Sequence, residues 1–394
     1  MKIRSDLAMY SEKQVGRNVG PLYIVASFEF CEPIDPESMN RAVSDALIVY
    51  PVFACRIREA EGTFFFEEDD ALKEYRVVPT DRILLPNRES KDGRLIFIGY
   101  HDNFLNLAVN HLLSDGMGAQ LFFGEIFKRY AIYCGGTTPE TPHPAGRPED
   151  MLAEVSQTPL QPVKGYVPRM KHRDSVSFPC DFEANRFCIR TLSVEESDMM
   201  AFVKQYNTKP VLAILYLMAK GYYHLHPDDP LSCSMSIIMN IKPYLGLEKS
   251  FCTILQNSVV YLSAEEMKEP GVLIRKKQEL EEIRSPECVA YYMLNSEERL
   301  KQLQTPATFI CSYLRELNDY RGLIRTQLPV LLSPGEMLEA RAVDGSFIFS
   351  FTGPEHCREL HDCFREGLAL CGFRLTGSSE LNVIREGDIL TLFR

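Results

Sequence analysis

His111 and Asp115 stand four residues apart in the string Asn110-His111-Leu112-Leu113-Ser114-Asp115-Gly116, and this pair is the chain's best candidate for proton chemistry. An imidazole titrates close to neutral pH, so it can take a proton from a hydroxyl or an amine and return it within one reaction. A carboxylate four residues on can brace the loop that carries the ring. The remaining candidates read as structural. His224, His226, His356 and His361 lack the partner set of a metal centre and are taken as solvated or capping residues, so no metal is expected. Gly135-Gly136 lacks the strand-to-helix setting of a phosphate loop and is a turn. The twelve cysteines include no CxxC pair, which suits reduced thiols and a cytoplasmic protein better than a disulfide framework.

A base is useful only if it is held in place, and the flanking residues supply the means. Residues 104–110 form an apolar run of strand length and composition that ends at Asn110-His111. Ser114-Asp115-Gly116 is expected to turn the chain, with Gly116 supplying a φ > 0 position. From Met117 the period becomes helical, and Ala119, Phe122, Ile126, Phe127 and Tyr130 fall on one face. The histidine is thus delivered at the end of a buried strand.

Around this stretch the chain is mixed α/β. Residues 22–30 are strand-like, and Asp35-Pro36-Glu37 is a strong helix start, with Met39, Ala42, Val43, Ala46, Leu47 and Tyr50 at helical spacing up to Pro51. Residues 53–58 with 63–67, and 95–100 with 104–110, read as hairpins. From 135 to 182 the composition shifts to Pro, Gly and Thr, which marks a crossover linker. Its small basic cluster, Arg169, Lys171, His172 and Arg173, reads as a solvated loop. Beyond it, residues 186–192 read as a strand leading into a capping box at Ser193-Val194-Glu195-Glu196, with a helix through Gln205. A second helix starts near Pro210. Residues 231–241, 258–262, 308–314, 330–332, 337–343 and 346–352 read as strands. Residues 271–283 and 355–371 read as helices, and Asp344-Gly345 as a hairpin turn.

A chain of 394 residues has ample length for two domains, expected here as 1–134, a linker over 135–182, and 183–394. The net charge of −11 argues against nucleic acid as the main partner, because phosphate binding needs a basic footprint. No run approaches eighteen apolar residues, so no membrane span is expected, and the first residues hold no apolar segment like that of a signal peptide.

The HxxxDG string of His111, Asp115 and Gly116 resembles the motif of the superfamily of chloramphenicol acetyltransferase, peptide-synthetase condensation domains and bacterial alcohol acetyltransferases. Its surroundings agree. The opening strand, the Asp35-Pro36-Glu37 helix and the segment from Tyr50 to Ile57 resemble the first elements of such proteins. Asn240-Ile241-Lys242-Pro243-Tyr244-Leu245-Gly246 followed by Gln256-Asn257 is similar to the family's NxRPxLG…N region. Residues 308–317 are similar to the strand before the family's crossover hairpin.

This resemblance implies two CAT-like α/β subdomains, each a mixed, largely antiparallel sheet with helices, and a channel between them. It implies an acyltransferase with His111 as general base, no tightly bound cofactor, and an acyl-CoA co-substrate for a small-molecule alcohol or amine. Asp115 would serve as a structural brace, pairing with the second half through Lys242 where the family has Arg. Lysine lacks the bidentate fork, so a looser pair is expected. Asn257 and Ser312 would line the channel. Asn110 replaces the second His of condensation domains, the DFGWG string of the plant branch is absent, and there is no Trp. The nearest branch is therefore the stand-alone bacterial alcohol acetyltransferase type, expected to act as a monomer. A carrier-protein-dependent condensation enzyme and a non-catalytic binding protein are the alternatives.

Overall fold

In the computed structural model of the chain, the described residues are 2–5, 23–60, 63–86, 93–152, 165–168, 173–178, 185–251, 255–295, 298, 305, 307–314, 322–332, 337–343, 345–355 and 357–393. Three sheets carry them. A three-stranded sheet runs β1 (Lys2–Ser5), β4 (Thr63–Glu68), β3 (Cys55–Ala60). A five-stranded sheet runs β13 (Ile324–Leu332), β2 (Tyr23–Phe30), β8 (Phe104–Asn110), β7 (Ile96–His101), β5 (Val78–Pro79). A nine-stranded sheet runs β11 (Leu255–Leu262), β10 (Cys233–Asn240), β12 (Phe309–Leu314), β14 (Met337–Val343), β15 (Ser346–Pro354), β9 (Arg186–Glu195), β16 (Leu375–Glu386), β17 (Ile389–Phe393), β6 (Arg82–Leu84). This is the mixed α/β, two-subdomain architecture expected above, and each large sheet borrows one strand from the other half of the chain. β13 pairs with β2, and β6 pairs with β17.

Each large sheet buries one face under helices. On the five-stranded sheet these are α1 (Pro36–Val49) and α2 (Gly116–Cys134). Asp35 caps α1 by accepting the Ser38 N–H, with Pro36 at the first helical position. The apolar stripe of α2 sinks completely: Ala119, Phe122, Ile126 and Phe127 are fully buried. Phe122 stacks on Phe53 at 4.2 Å, and Phe127 meets Phe28 edge-on at 4.7 Å. Each such buried ring contributes about 1.5–3 kcal/mol, so the face of α2 opposite solvent holds the helix, and the motif at its start, against the sheet.

On the nine-stranded sheet the covering helices are α3 (Glu196–Gln205), α4 (Pro210–Leu225), α5 (Val272–Ile283) and α6 (Glu359–Leu370). α4 and α6 cross backbone against backbone. A Cβ on Gly221 would lie 1.8 Å from the Cys363 carbonyl oxygen, and one on Gly367 would lie 1.8 Å from that of Leu217. Only glycine permits that approach.

The two sheets meet on their other faces. Tyr23 and Val25 of β2, Ala108 of β8 and Phe97 of β7 pack with Ile189, Leu381, Val383 and Leu390 of β9, β16 and β17. Ile241, Leu245 and Phe251, from the second half, pack into the first core.

Some local readings need correction. Ser193 does not cap α3: it sits inside β9, paired with Ile348 and Gly377, and the helix starts at Glu196 after Glu195. Sheet pairing on both sides outweighed a single capping bond. The segment Pro51–Ala54 is a 3-10 turn, so the strand begins at Cys55. The hairpin of β16 and β17 and the helix Pro286–Leu294 were not anticipated. Of the linker, Val176 and Phe178 are buried in the second core, and Arg173 pairs with Glu266 at 3.0 Å. Arg169, Lys171, His172 and His356 lie outside the described residues.

Candidate active site

β8 alternates cleanly. Leu105, Leu107 and Val109 enter the helix-covered core, while Ala108 and Asn110 share the face turned toward the nine-stranded sheet. His111 is the next residue. Its turn is built by Asn110, whose Oδ1 accepts the Leu112 N–H at 3.1 Å and whose carbonyl accepts the Leu113 N–H at 3.0 Å. The Asn110 amide donates to the Pro86 carbonyl at 3.1 Å. The residue standing where condensation domains carry another histidine thus anchors the loop of His111.

His111 is half-buried. Burial pushes its imidazole below the ordinary value, a hydrogen bond with its own main-chain carbonyl and the charge of Asp115 draw it back in part, and Lys242 acts in the same sense as burial. The ring is therefore biased toward the neutral form, the form able to accept a proton.

Asp115 is the N-cap of α2. Its Oδ1 accepts the Gly118 N–H at 2.9 Å, and its own N–H donates to the Phe251 carbonyl at 2.7 Å. Its Oδ2 lies 2.5 Å from Lys242 Nζ, which also donates to the Ser250 carbonyl at 2.6 Å. Both side chains are almost wholly buried. The pair is short, not loose, because each carboxylate oxygen has its own partner and the geometry needs no fork. Asn240 Oδ1 accepts the Lys242 N–H at 3.0 Å and fixes where the lysine leaves the main chain.

Gly116 does not occupy a left-handed position. The turn lies at 111–113, and Gly116 is the first residue of α2. The glycine with a visible steric duty is Gly118, where a Cβ would come within 2.2 Å of Phe251 and 2.3 Å of Ser114 Oγ. Gly118, Ser250 and Phe251 went unnoticed in the sequence. Phe251 carried no local signal, since its role depends on contacts across 100 or more positions. A cavity of about 260 Å³ opens beside the pair, lined by Tyr50, Met117, Gly118, Leu121, Lys242 and Phe251 among others; His111 is not part of its wall.

The other named residues lie on the nine-stranded sheet. Asn257 is on β11, where its Oδ1 accepts the Ser236 hydroxyl, and Ser312 is on β12 opposite Glu339. Both are half-buried. Among the described residues no group of three or more His, Cys, Asp or Glu is placed to hold a metal ion. His224, His226 and His361 lie beside Glu366, Glu359 and Asp362, respectively. No helix of the described residues is long and apolar enough to cross a membrane.

No protein-family model and no curated protein matches the chain. Solved structures do. It is similar to polyketide synthase associated protein 5 from Mycobacterium tuberculosis, at 14% identity and a TM-score of 0.63, covering 93% of this chain and 97% of that one. It is similar to F. sporotrichioides TRI101 complexed with coenzyme A and T-2, at 12% identity and a TM-score of 0.64, covering 96% and 100%. It is also similar to the first condensation domain of the CDA synthetase, at 12% identity and a TM-score of 0.62, covering 93% and 96%. Over more than nine-tenths of its length, the chain shares the fold of these three structures.

Proposed function

We propose that the protein is an acyltransferase that moves an acyl group, acetyl in the simplest case, from a CoA thioester to an alcohol or amine, with His111 as general base. The observation that carries this reading is His111 at the end of β8, half-buried, biased toward the neutral form and followed by a buried Asp115–Lys242 pair that fixes its loop. The F. sporotrichioides TRI101 structure, with its coenzyme A, supports a thioester as donor.

The chemistry follows from the ring. Only Nδ1, the nitrogen next to Cγ, can reach the residue's own carbonyl, which leaves Nε2 as the proton acceptor. The neutral imidazole takes the acceptor's O–H proton as that oxygen bonds to the thioester carbonyl carbon. The C–S bond then breaks, the thiolate takes the proton back from the imidazolium, and an ester and a free thiol leave. A positioned base of this kind is worth about 10²–10⁴-fold. Asp115 touches no reacting atom in this scheme; it holds the start of α2 and the loop before it. Asn257 and Ser312 would contact substrate from the opposite sheet. The subdomain limits at 134 and 183, action as a monomer and a cytoplasmic location belong to the same reading.

The test is donor dependence. Acyl transfer from free acetyl-CoA supports the reading as stated, whereas transfer only from a phosphopantetheinyl carrier protein would assign the condensation type instead. Ligand-induced stabilisation without turnover from either donor would assign a binding role.

A further inference from the structure

Glu339 is a buried carboxylate that nothing above uses. It lies on β14 between Leu338 and Ala340, which enter the helix-covered core of the nine-stranded sheet, so its side chain is on the opposite face. That is the face carrying Ile189, which packs against the five-stranded sheet. Glu339 is only 7% exposed, and among the described residues it makes no hydrogen bond and no salt bridge. Arg341, two residues along the same face, is the charge that acts on it. An ionised carboxylate left this way is costly, and burial raises its pKa above the usual carboxylate value.

Beside Arg341 on its own strand, its cross-strand neighbours are all hydroxyls. Across the ladder Glu339 faces Ser312 on one side and Ser350 on the other; Ser350 faces Thr191, and Thr191 faces Ser379. Cross-strand partners share a face, so these five residues form one polar row across five strands, on the side of the sheet turned to the half that carries His111. A row of hydroxyls around an unmet buried carboxyl is a poor wall for a hydrocarbon and a good one for a molecule that brings its own hydroxyl groups.

We infer that Glu339, with Ser312 and Ser350 beside it, is a specificity-determining residue that holds a hydroxyl group of a multiply hydroxylated acceptor while another of its hydroxyls is acylated. The inference rests on the acyl-transfer reading and narrows its acceptor class from any alcohol or amine to polyols.

The test is thiol release from acetyl-CoA with matched pairs of vicinal diols and the corresponding primary alcohols, from 1,2-butanediol and 1-butanol to 1-phenyl-1,2-ethanediol and 2-phenylethanol. Wild type is expected to favour the diols about 5- to 150-fold in kcat/KM, the range set by leaving a buried hydrogen-bonding group unsatisfied. Glu339→Leu should bring each pair within about threefold, and Glu339→Gln, which keeps hydrogen-bonding atoms in the same shape, should fall between the two. Thermal unfolding checks that each variant is folded; if Glu339→Leu is not, Glu339→Gln and Ser312→Ala carry the test, each expected to reduce the preference. Equal rates within each pair for wild type, or a preference unchanged in the folded variants, overturns this inference alone. If neither class of alcohol, nor a parallel panel of amines, supports thiol release, the acyl-transfer reading is overturned and this inference with it.

Discussion

Lys242 Nζ and Asp115 Oδ2 lie 2.5 Å apart, and this one contact ties the start of α2 in the first half of the chain to the segment after β10 in the second. Both groups are buried, so the pair is a geometric clamp more than a source of net stability. Its value lies in what it holds: Asp115 caps the helix that follows the His111 loop, and Lys242 bonds the Ser250 carbonyl beside Phe251.

Breaking one side of the clamp leaves a buried charge without its partner. Lys242→Met and Asp115→Asn are each expected to cost about 3–5 kcal/mol, read as a lower Tm in thermal unfolding, and to lower kcat/KM as the loop loosens. A Tm unchanged in both variants would contradict the clamp.

The position of His111 gives a pH prediction with a definite sign. Its imidazole is biased to the neutral form, so the base stays competent below the ordinary value of 6.5. The acid limb of the kcat/KM profile is expected below pH 6.5 and should be absent from any residual activity of His111→Ala. The stability linkage runs the same way. Between the depressed folded pKa and 6.5 the unfolded chain binds the proton and the folded one does not, so stability falls as pH falls through that window. An acid limb above 6.5 would contradict the assignment of His111 as a buried neutral base.

Gly118 is a steric requirement of the motif helix. Gly118→Ala places a methyl group against Phe251 and Ser114, and overpacking of this kind costs about 1–3 kcal/mol. Activity should fall with stability, because Ser114 and Asp115 are displaced together. A variant with wild-type Tm and rate would show that the helix start tolerates movement.

How much of this could be read from the residues depends on distance along the chain. β8, α1 and α2 were legible because a strand's alternation and a helix's 3.6-residue period are local patterns, and Ala119, Phe122, Ile126, Phe127 and Tyr130 are buried as their spacing predicts. Ser193 misled because a capping box is also local, whereas the strand pairing that overrode it joins residues more than 150 positions apart. Gly116 misled for a related reason, since a helix can begin directly after Asp115 without a left-handed residue. Lys242 opposite Asp115 is beyond any local pattern and was reached through the resemblance alone. Glu339 did leave a trace: Glu and Arg alternate with Leu and Ala in the run Met337–Val343, which is ordinary for a strand with one solvated face. That this face is turned inward depends on how the two sheets meet, and no single strand encodes it.

The contact of Gly221 with α6 separates stability from function. Gly221→Ala forces apart two helices that lie behind the nine-stranded sheet, so Tm should fall by at least as much as for Gly118→Ala. At temperatures where the variant is folded, kcat/KM should match wild type. A selective loss of kcat without loss of Tm would contradict this division.

The central claim is that His111 takes the acceptor's proton, and free-thiol release from acetyl-CoA tests it most directly. The measurement compares wild type with His111→Ala across a panel of alcohols and amines, with thermal unfolding of both proteins. The account predicts acceptor-dependent release in wild type and a loss of about 10²–10⁴-fold in the variant at unchanged Tm. Acceptor-dependent release that persists at the wild-type rate in folded His111→Ala would contradict it.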